Sequence, residues 1–236
     1  MNPLILALDT DDIGVAQKWI EATHASIGTF KMGLEFFLTF GHAGVERLRS
    51  VAEFDLFLDL KLHDIPNTVA SSVKAIASLQ PKFLTVHAAG GSEMISRAAA
   101  VDERIGITAV TVLTSLSADE LPKLGFAGSP SELAVKLAKN AVDSGARAIV
   151  SSPLEVAAIR AEVGDAAIIT PGVRPAGSDL GDQKRVMTPA DAIAAGSSYL
   201  VIGRPITSLY IPGDDGSLAA MKAKAEEIRS SVLPTL

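Results

Sequence analysis

The residues most able to do chemistry are concentrated in one short stretch. Asp59, Lys61 and Asp64 place two carboxylates and an ammonium group within six positions, directly after the apolar run 56–58. Successive side chains of a strand point to opposite faces, so we expect Asp59 and Lys61 on one face and the neighbouring leucines on the other. Opposite charges packed this closely at the end of a hydrophobic strand indicate a reactive site rather than a solvated surface.

The elements that must position these charges follow a regular pattern, in which short β-rich runs alternate with longer segments of helical period. Repeated eight times, the alternation predicts a (β/α)8 barrel, with a doubly wound open sheet as the alternative. The predicted strands are Leu4–Leu8, Thr29–Met32, Leu56–Leu60, Phe83–His87, Ile107–Val112, Ala148–Ser151, Ala167–Thr170 and Tyr199–Ile202. Predicted helical segments include Ile13–Thr23, Ser131–Ser144, Pro153–Val163 and Pro189–Ala195. Candidate N-caps are Asp11, Asp12 and Ser131, and candidate helix ends are Gly145 and Gly196. Thr188-Pro189 is expected to open another helix with proline in its first turn.

Length and composition narrow the class of protein. The 236 residues, 48% of them hydrophobic, predict one domain with a large core. The net charge of −6 argues against a nucleic-acid surface, and the lack of cysteine excludes disulfides, thiol catalysis and cysteine-based zinc sites. No signal peptide is visible and no apolar run reaches the roughly 20 residues of a membrane span, so we expect a cytoplasmic protein. The long segment 171–185, rich in Gly, Pro, Ser and Asp, is expected to form a lid loop.

Polar residues follow most of the predicted strands. In a barrel the active site lies at the carboxyl ends of the strands, so these residues are expected to meet at one rim. In chain order they are Asp9, Lys31, Asp59 with Lys61, His87, Thr114, the run Pro171-Gly172-Val173-Arg174, and Gly203-Arg204.

Each of these residues also has a structural interpretation. Asp9 could cap a helix, Lys31 could be a solvated lysine, and Asp59 with Lys61 could be an ion pair that serves only stability. His87 could equally be a core histidine, and His63 is expected to face away from Lys61 and to serve packing. Convergence of so many polar strand ends favours a site.

The residues after the last predicted strand point to a phosphorylated ligand. Phosphate sites in barrels commonly use the loops after the seventh and eighth strands, where backbone N–H groups face the anion. Gly203 lets the backbone approach closely, and Arg204 offers a bidentate contact to phosphate. Pro171-Gly172 lies in the neighbouring loop.

An ordered set of segments resembles the orotidine 5′-phosphate decarboxylase family. The block Asp59-Leu60-Lys61-Leu62-His63-Asp64-Ile65-Pro66-Asn67-Thr68 is highly specific, and the set as a whole spans nearly the entire chain. The other segments are Leu8-Asp9, Phe30-Lys31-Met32-Gly33, Val86-His87-Ala88-Ala89-Gly90-Gly91, Val110-Thr111-Val112-Leu113-Thr114-Ser115, Pro171-Gly172-Val173-Arg174 through Gly181-Asp182-Gln183, and Val201-Ile202-Gly203-Arg204-Pro205-Ile206-Thr207.

The resemblance implies a reaction and a set of catalytic residues. The implied reaction is the decarboxylation of orotidine 5′-monophosphate to uridine 5′-monophosphate, without a cofactor or a metal. An alternating charge network is implied around the scissile carboxylate, made of Lys31, Asp59, Lys61 and Asp64, with Lys61 as proton donor. A homodimer is also implied, in which Asp64, Ile65 and Thr68 reach the partner's active site.

The resemblance also implies contacts for each part of the nucleotide. Asp9, Lys31 and the partner's Thr68 would bind the ribose, and Thr114 and Ser115 would lie near the pyrimidine. Gly203 and Arg204 would hold the phosphate. From the lid, Gln183 would bridge phosphate and pyrimidine, while Pro171 and Arg174 belong to the lid and its phosphate end.

Two other functions stay open from the sequence. Keto-gulonate phosphate decarboxylases and hexulose phosphate synthases use the same scaffold with a metal, and they resemble this chain at Asp9, Asp59, Lys61 and Asp64. They carry an acidic residue where this chain has Lys31, and a lysine repels Mg²⁺. A non-catalytic barrel that senses a nucleotide is the second alternative.

Overall fold

The computed structural model of the protein describes residues 2–175 and 187–233 and forms a closed parallel barrel with strand order β1 to β8. The strands are β1 (Leu4–Ala7), β2 (Thr29–Gly33), β3 (Asp55–Leu62), β4 (Phe83–His87), β5 (Gly106–Val110), β6 (Ala148–Val150), β7 (Ala167–Thr170) and β8 (Tyr199–Ile202). The helices are α1 (Ile13–Thr23), α2 (Leu34–Arg49), α3 (Pro66–Ile76), α4 (Ser92–Ala99), α5 (Pro130–Asp143), α6 (Val156–Val163), α7 (Pro189–Ala194), α8 (Arg204–Thr207) and α9 (Asp215–Val232).

The pairing of β1 with β8 decides between the two predicted folds. Leu4 pairs with Leu200 and Leu6 with Ile202, in parallel register. This pairing closes the sheet, so the (β/α)8 barrel is confirmed and the doubly wound open sheet is wrong. All eight predicted strands are present, with ends that differ from the prediction by up to two residues.

Local sequence signals explain where the helices begin. The side chain of Asp12 accepts hydrogen bonds from the backbone N–H groups of Gly14 and Val15, as expected for an N-cap of α1. For α5 the predicted N-cap Ser131 is wrong. Ser129 caps this helix instead, in a reciprocal capping box with Glu132, because Pro130 already occupies the first helical position.

Two apolar layers hold the barrel. The interior of the barrel is filled by side chains that point inward from the strands, and a larger layer packs the outer strand faces against the helices. The interior members are Ile5, Ala7, Phe57, Phe83, Ala148, Ile169, Tyr199 and Val201. Among the described helices none is long and apolar enough to cross a membrane.

Candidate active site

A chain of alternating charges lies at the carboxyl ends of the first three strands. Lys31 Nζ lies 3.0 Å from Asp9 Oδ1 and 3.6 Å from Asp59 Oδ2. Lys61 Nζ lies 2.8 Å from the other carboxylate oxygen of Asp59. The four side chains therefore alternate in sign from β1 through β3, and the predicted convergence of Asp9, Lys31, Asp59 and Lys61 at one rim is confirmed.

The neighbouring opposite charges fix the ionisation of the buried pair Lys31 and Asp59. The side chains of Lys31 and Asp59 are only 11% and 15% exposed. Burial alone would lower the pKa of Lys31, but the carboxylates of Asp59 and Asp9 outweigh it and raise that pKa above its usual value. Burial alone would likewise raise the pKa of Asp59, but Lys31 and Lys61 outweigh it and lower the pKa. Both groups therefore stay charged near neutral pH.

An irregular segment of β3 presents Asp59 and Lys61 to the rim. Leu58 pairs with Leu84 and Leu62 pairs with Val86, so residues 59–61 stand opposite Thr85 of β4 alone. Lys61 has a φ of +47°, a left-handed conformation that is uncommon for a residue with a side chain. The third strand was predicted to end at Leu60 with regular alternation. That prediction is wrong, because β3 continues to Leu62 and contains a bulge between Leu58 and Leu62.

The charge chain borders a cavity of about 190 Å³. Lys31, Asp59 and Lys61 form its charged side, and the rest of the lining is mainly apolar. The other lining residues are Phe57, Val110, Val112, Leu113, Thr114, Val150, Ser151, Ser152, Pro171 and Val201. The predicted site residues Thr114 and Pro171 thus lie at this cavity. A flat apolar ring that carries a negative group would fit such a mixed lining.

Ser151 and Ser152 are cavity residues that the sequence reasoning missed. Both are buried, and they follow β6 in the same way as the other rim residues follow their strands. Their position at the carboxyl end of a predicted strand is the sequence feature that could have identified them as rim residues. Together with Thr114 they add hydroxyl groups to the mainly apolar side of the cavity.

The predicted site residues that follow β3 do not line this cavity. Asp64 is exposed, and its carboxylate accepts a hydrogen bond from the backbone N–H of Ile65. Within the described part of the chain it forms no ion pair with Lys61. Ile65 is 67% exposed, and Thr68 is exposed in the first turn of α3. The structure of one subunit therefore does not bring these three residues into the charge network.

The residues predicted to bind phosphate lie on the β7 and β8 side of the rim. Arg204 is exposed in the first turn of the short helix α8, directly after Gly203. A Cβ on Gly203 would lie 3.7 Å from that of Ala7 in β1, so this loop adjoins the strand that leads to Asp9. Arg174 is buried, and its guanidinium donates to the carbonyl of Val173.

Two further predicted site residues, Ser115 and Gln183, are not among the described residues that line the cavity. Ser115 is exposed beyond Thr114 and does not line the cavity. Gln183 lies outside the described residues, as does most of the predicted lid loop 171–185.

Two histidines stand beside the charge network. The ring centroids of His63 and His87 are 5.3 Å apart, and both residues line a second, mostly apolar cavity of about 200 Å³ under the β5–α5 loop. Burial, His63 and Lys61 together lower the pKa of His87. The half-buried ring of His87, whose pKa is lowered, fits the packing interpretation of this residue better than a catalytic one.

Among the described residues, no group of three or more His, Cys, Asp or Glu side chains is arranged to hold a metal ion. The carboxylates of Asp9 and Asp59 do converge, but the ammonium group of Lys31 lies between them. The donor set at the rim is therefore that of an ion-pair network.

Comparisons with known proteins agree with this geometry. The model of the orotidine 5′-phosphate decarboxylase / HUMPS family matches residues 2–213. A protein of Thermobifida fusca named orotidine 5′-phosphate decarboxylase is 49% identical over 230 residues, which cover 97% of this chain and 98% of that protein. A protein of the same name from Paramagnetospirillum magneticum is 46% identical, with 96% and 98% covered. The crystal structure of orotidine 5′-phosphate decarboxylase from Lactobacillus acidophilus superposes with a TM-score of 0.81 at 36% identity, and covers 98% of this chain and 99% of that one.

Proposed function

The chain belongs to the orotidine 5′-phosphate decarboxylase / HUMPS family, and we propose how its rim residues carry out the reaction of that family's decarboxylases. The chain decarboxylates orotidine 5′-monophosphate to uridine 5′-monophosphate and CO2, a step of pyrimidine biosynthesis. The observation that carries the proposed mechanism is the alternating chain of charges from Asp9 to Lys61, bordering a cavity that is otherwise mainly apolar.

Lys61 is the proton donor in this proposal. Loss of CO2 breaks the bond between C6 and the carboxylate carbon and leaves the electron pair on C6, where the ring offers little resonance stabilisation. A fixed ammonium group beside C6 stabilises that developing charge because it needs no reorganisation during the reaction. Lys61 then transfers a proton from Nζ to C6 and becomes neutral.

Asp59 and Lys31 hold this ammonium group in place. The carboxylate of Asp59 is bonded to Lys61 on one oxygen and faces Lys31 with the other, so its charge is balanced before substrate binds. In the complex, Asp59 lies beside the departing carboxylate. Repulsion between these like charges is relieved as CO2 leaves, which adds to the driving force.

The rest of the rim suits the rest of the nucleotide. The apolar lining and the hydroxyl of Thr114 face the pyrimidine, and Asp9 with Lys31 binds the ribose hydroxyls. Arg204 and the backbone of Gly203 bind the phosphate at the end of β8, the strand that pairs with β1. Binding energy from this remote phosphate contributes to holding the reacting carbon in place.

Loss of the absorbance of orotidine 5′-monophosphate, followed with purified protein in the presence and absence of EDTA, tests the function. We expect equal rates in both samples, because the proposed steps use only side-chain charges. Loss that EDTA abolishes would assign the chain to the metal-dependent chemistry of the sugar-phosphate enzymes. Tight binding of uridine 5′-monophosphate with no turnover in either sample would instead indicate a nucleotide sensor.

We further propose a homodimer in which each active site uses residues of both subunits. Asp64 and Thr68 are exposed and do not line the cavity of their own subunit, and Ile65 beside them exposes 67% of its surface. Leu34 and Leu38 of α2, which follows the neighbouring strand β2, are 46% and 80% exposed. Exposed apolar side chains on these elements, together with a carboxylate that forms no ion pair with any described residue, suit a second copy of the chain, whose Lys61 would then receive the partner's Asp64.

Mixing two inactive variants tests this arrangement. Lys61→Ala and Asp64→Ala proteins are each expected to be strongly impaired, whereas a fully exchanged mixture is expected to recover about a quarter of the parent activity. The recovery arises because each mixed dimer contains one site with both native residues. If Asp64 served its own subunit, no mixed dimer would contain an intact site and the mixture would stay inactive. Mixing Lys61→Ala with itself after the same exchange procedure is the control.

Two finer points stay predictions from the sequence. One is the role of residues 171–185, including Gln183, as a lid over the phosphate; residues 176–186 lie outside the described part of the chain. The other is the cytoplasmic location.

A further inference from the structure

The hydroxyl of Thr85 completes a ring of hydrogen bonds with Asp59 and Lys61. Its oxygen accepts a hydrogen bond from the backbone N–H of Lys61 at 2.8 Å, and it donates to Asp59 Oδ1 at 3.1 Å. The same carboxylate oxygen accepts from Lys61 Nζ at 2.8 Å. One hydroxyl on β4 is thus bonded to the backbone of Lys61 and to the carboxylate that orients the Lys61 side chain.

The Thr85 hydroxyl accepts the hydrogen bond from the Lys61 N–H, which has no backbone partner on β4. Where β3 bulges, residues 59–61 stand opposite Thr85 alone, so the regular backbone ladder between β3 and β4 is interrupted. The N–H of Lys61 is bonded by the Thr85 side chain instead, while Lys61 holds its uncommon φ of +47°. Such a conformation persists only where the surroundings fix it.

We propose that Thr85 is a positioning residue, whose hydroxyl holds the bulge of β3 in the shape that aims the Lys61 ammonium group at the reacting carbon. The proposal rests on the decarboxylase function above and adds to it a residue outside the charge network. Thr85 is fully buried and does not line the cavity, so it acts through Lys61 and Asp59 rather than on the substrate.

Thr85→Val removes the hydroxyl while it keeps the size and β-branching of the side chain. The N–H of Lys61 then loses its acceptor inside the barrel wall, and Asp59 loses one donor. We expect kcat to fall roughly 10- to 100-fold, in the range for a lost hydrogen bond to a charged group. KM and the inhibition constant of uridine 5′-monophosphate are expected to change less than about threefold, because the ribose and phosphate contacts are untouched. Thr85→Ser, which restores the hydroxyl, is expected to recover kcat to within about threefold of the parent.

Thr108→Val is the matched control. Thr108 is the residue that pairs with Thr85 on β5, and it is equally buried, but its hydroxyl donates to the carbonyl of Gly106. A general cost of removing a barrel hydroxyl would lower kcat and thermal stability in both variants alike. We expect Thr108→Val to keep kcat within about twofold of the parent, even where its melting temperature falls.

The outcomes separate this inference from the proposed function. A parent protein that does not turn over orotidine 5′-monophosphate contradicts the function, whereas an active parent with an unimpaired Thr85→Val variant contradicts only the role of Thr85. Crystal structures of the parent and Thr85→Val give a readout independent of activity. We expect Lys61 to leave the left-handed region in the variant, and an unchanged bulge would overturn the proposal. If Thr85→Val does not fold, Thr85→Ala offers the same loss of the hydroxyl with less bulk.

Discussion

Replacement of Lys61 by alanine is expected to abolish decarboxylation while binding of uridine 5′-monophosphate stays measurable. The variant loses both the ammonium group that stabilises the C6 carbanion and the proton that C6 receives, so kcat is expected to fall by about four orders of magnitude or more. The fold is expected to tolerate the change, because Asp59 keeps Lys31 at 3.6 Å and Thr85 as partners. Single-turnover kinetics and calorimetric binding of the product measure the two effects separately.

Lys74→Ala is the matched control for this variant. Lys74 lies exposed on α3, and its replacement by alanine changes the net charge by the same amount as Lys61→Ala. Normal turnover in Lys74→Ala together with inactive Lys61→Ala would assign the loss to position rather than to overall charge. A Lys61→Ala protein with kcat within tenfold of the parent would rule out Lys61 as the proton donor.

Replacement of Arg204 by alanine is expected to weaken the use of the phosphorylated substrate. A lost hydrogen bond to a charged group costs about 2–3 kcal/mol, which corresponds to a decrease of roughly 30- to 150-fold in kcat/KM. The loss is expected mainly in KM, because Arg204 lies beyond β8, away from the charged side of the cavity formed by Lys31, Asp59 and Lys61.

A comparison of ligands locates the effect at the phosphate. Uridine 5′-monophosphate is expected to bind more weakly to Arg204→Ala than to the parent, whereas uridine, which lacks the phosphate, is expected to bind both equally. Arg97→Ala, which removes an exposed arginine from α4, serves as the control. Equal weakening of both ligands, or an unchanged kcat/KM, would refute the phosphate assignment.

Much of the fold could be predicted because it depends on local patterns. Apolar runs of strand length and segments of helical period follow directly from which residues are buried, so their order along the chain predicts the barrel. Capping depends on short-range hydrogen bonds as well. Even so, the N-cap of α5 was misplaced by two residues, because Ser129 and Ser131 both suit the role and the capping box with Glu132 decides between them.

The rim residues could be predicted for a related reason. Parallel strands in a barrel bring all their carboxyl ends to one side, so Asp9, Lys31 and Asp59 had to lie near each other once the fold was fixed. Ser151 and Ser152 obey the same rule, and their place at the cavity follows from it. The sequence by itself therefore determined the barrel, the side on which the site lies and most of the charges in it.

Only the tertiary structure decided how those charges are held. Regular alternation predicts that Asp59 and Lys61 point the same way, but it contains no information on the bulge, which depends on the register between β3 and β4. The proposed role of Thr85 depends on its hydrogen bond with the backbone of Lys61, which lies 24 residues earlier in the chain. The outward position of Asp64 is likewise set by the turn into α3, where the backbone N–H of Ile65 binds its carboxylate. Strand pattern is a local property, whereas register and long-range hydrogen bonds exist only after the strands have met.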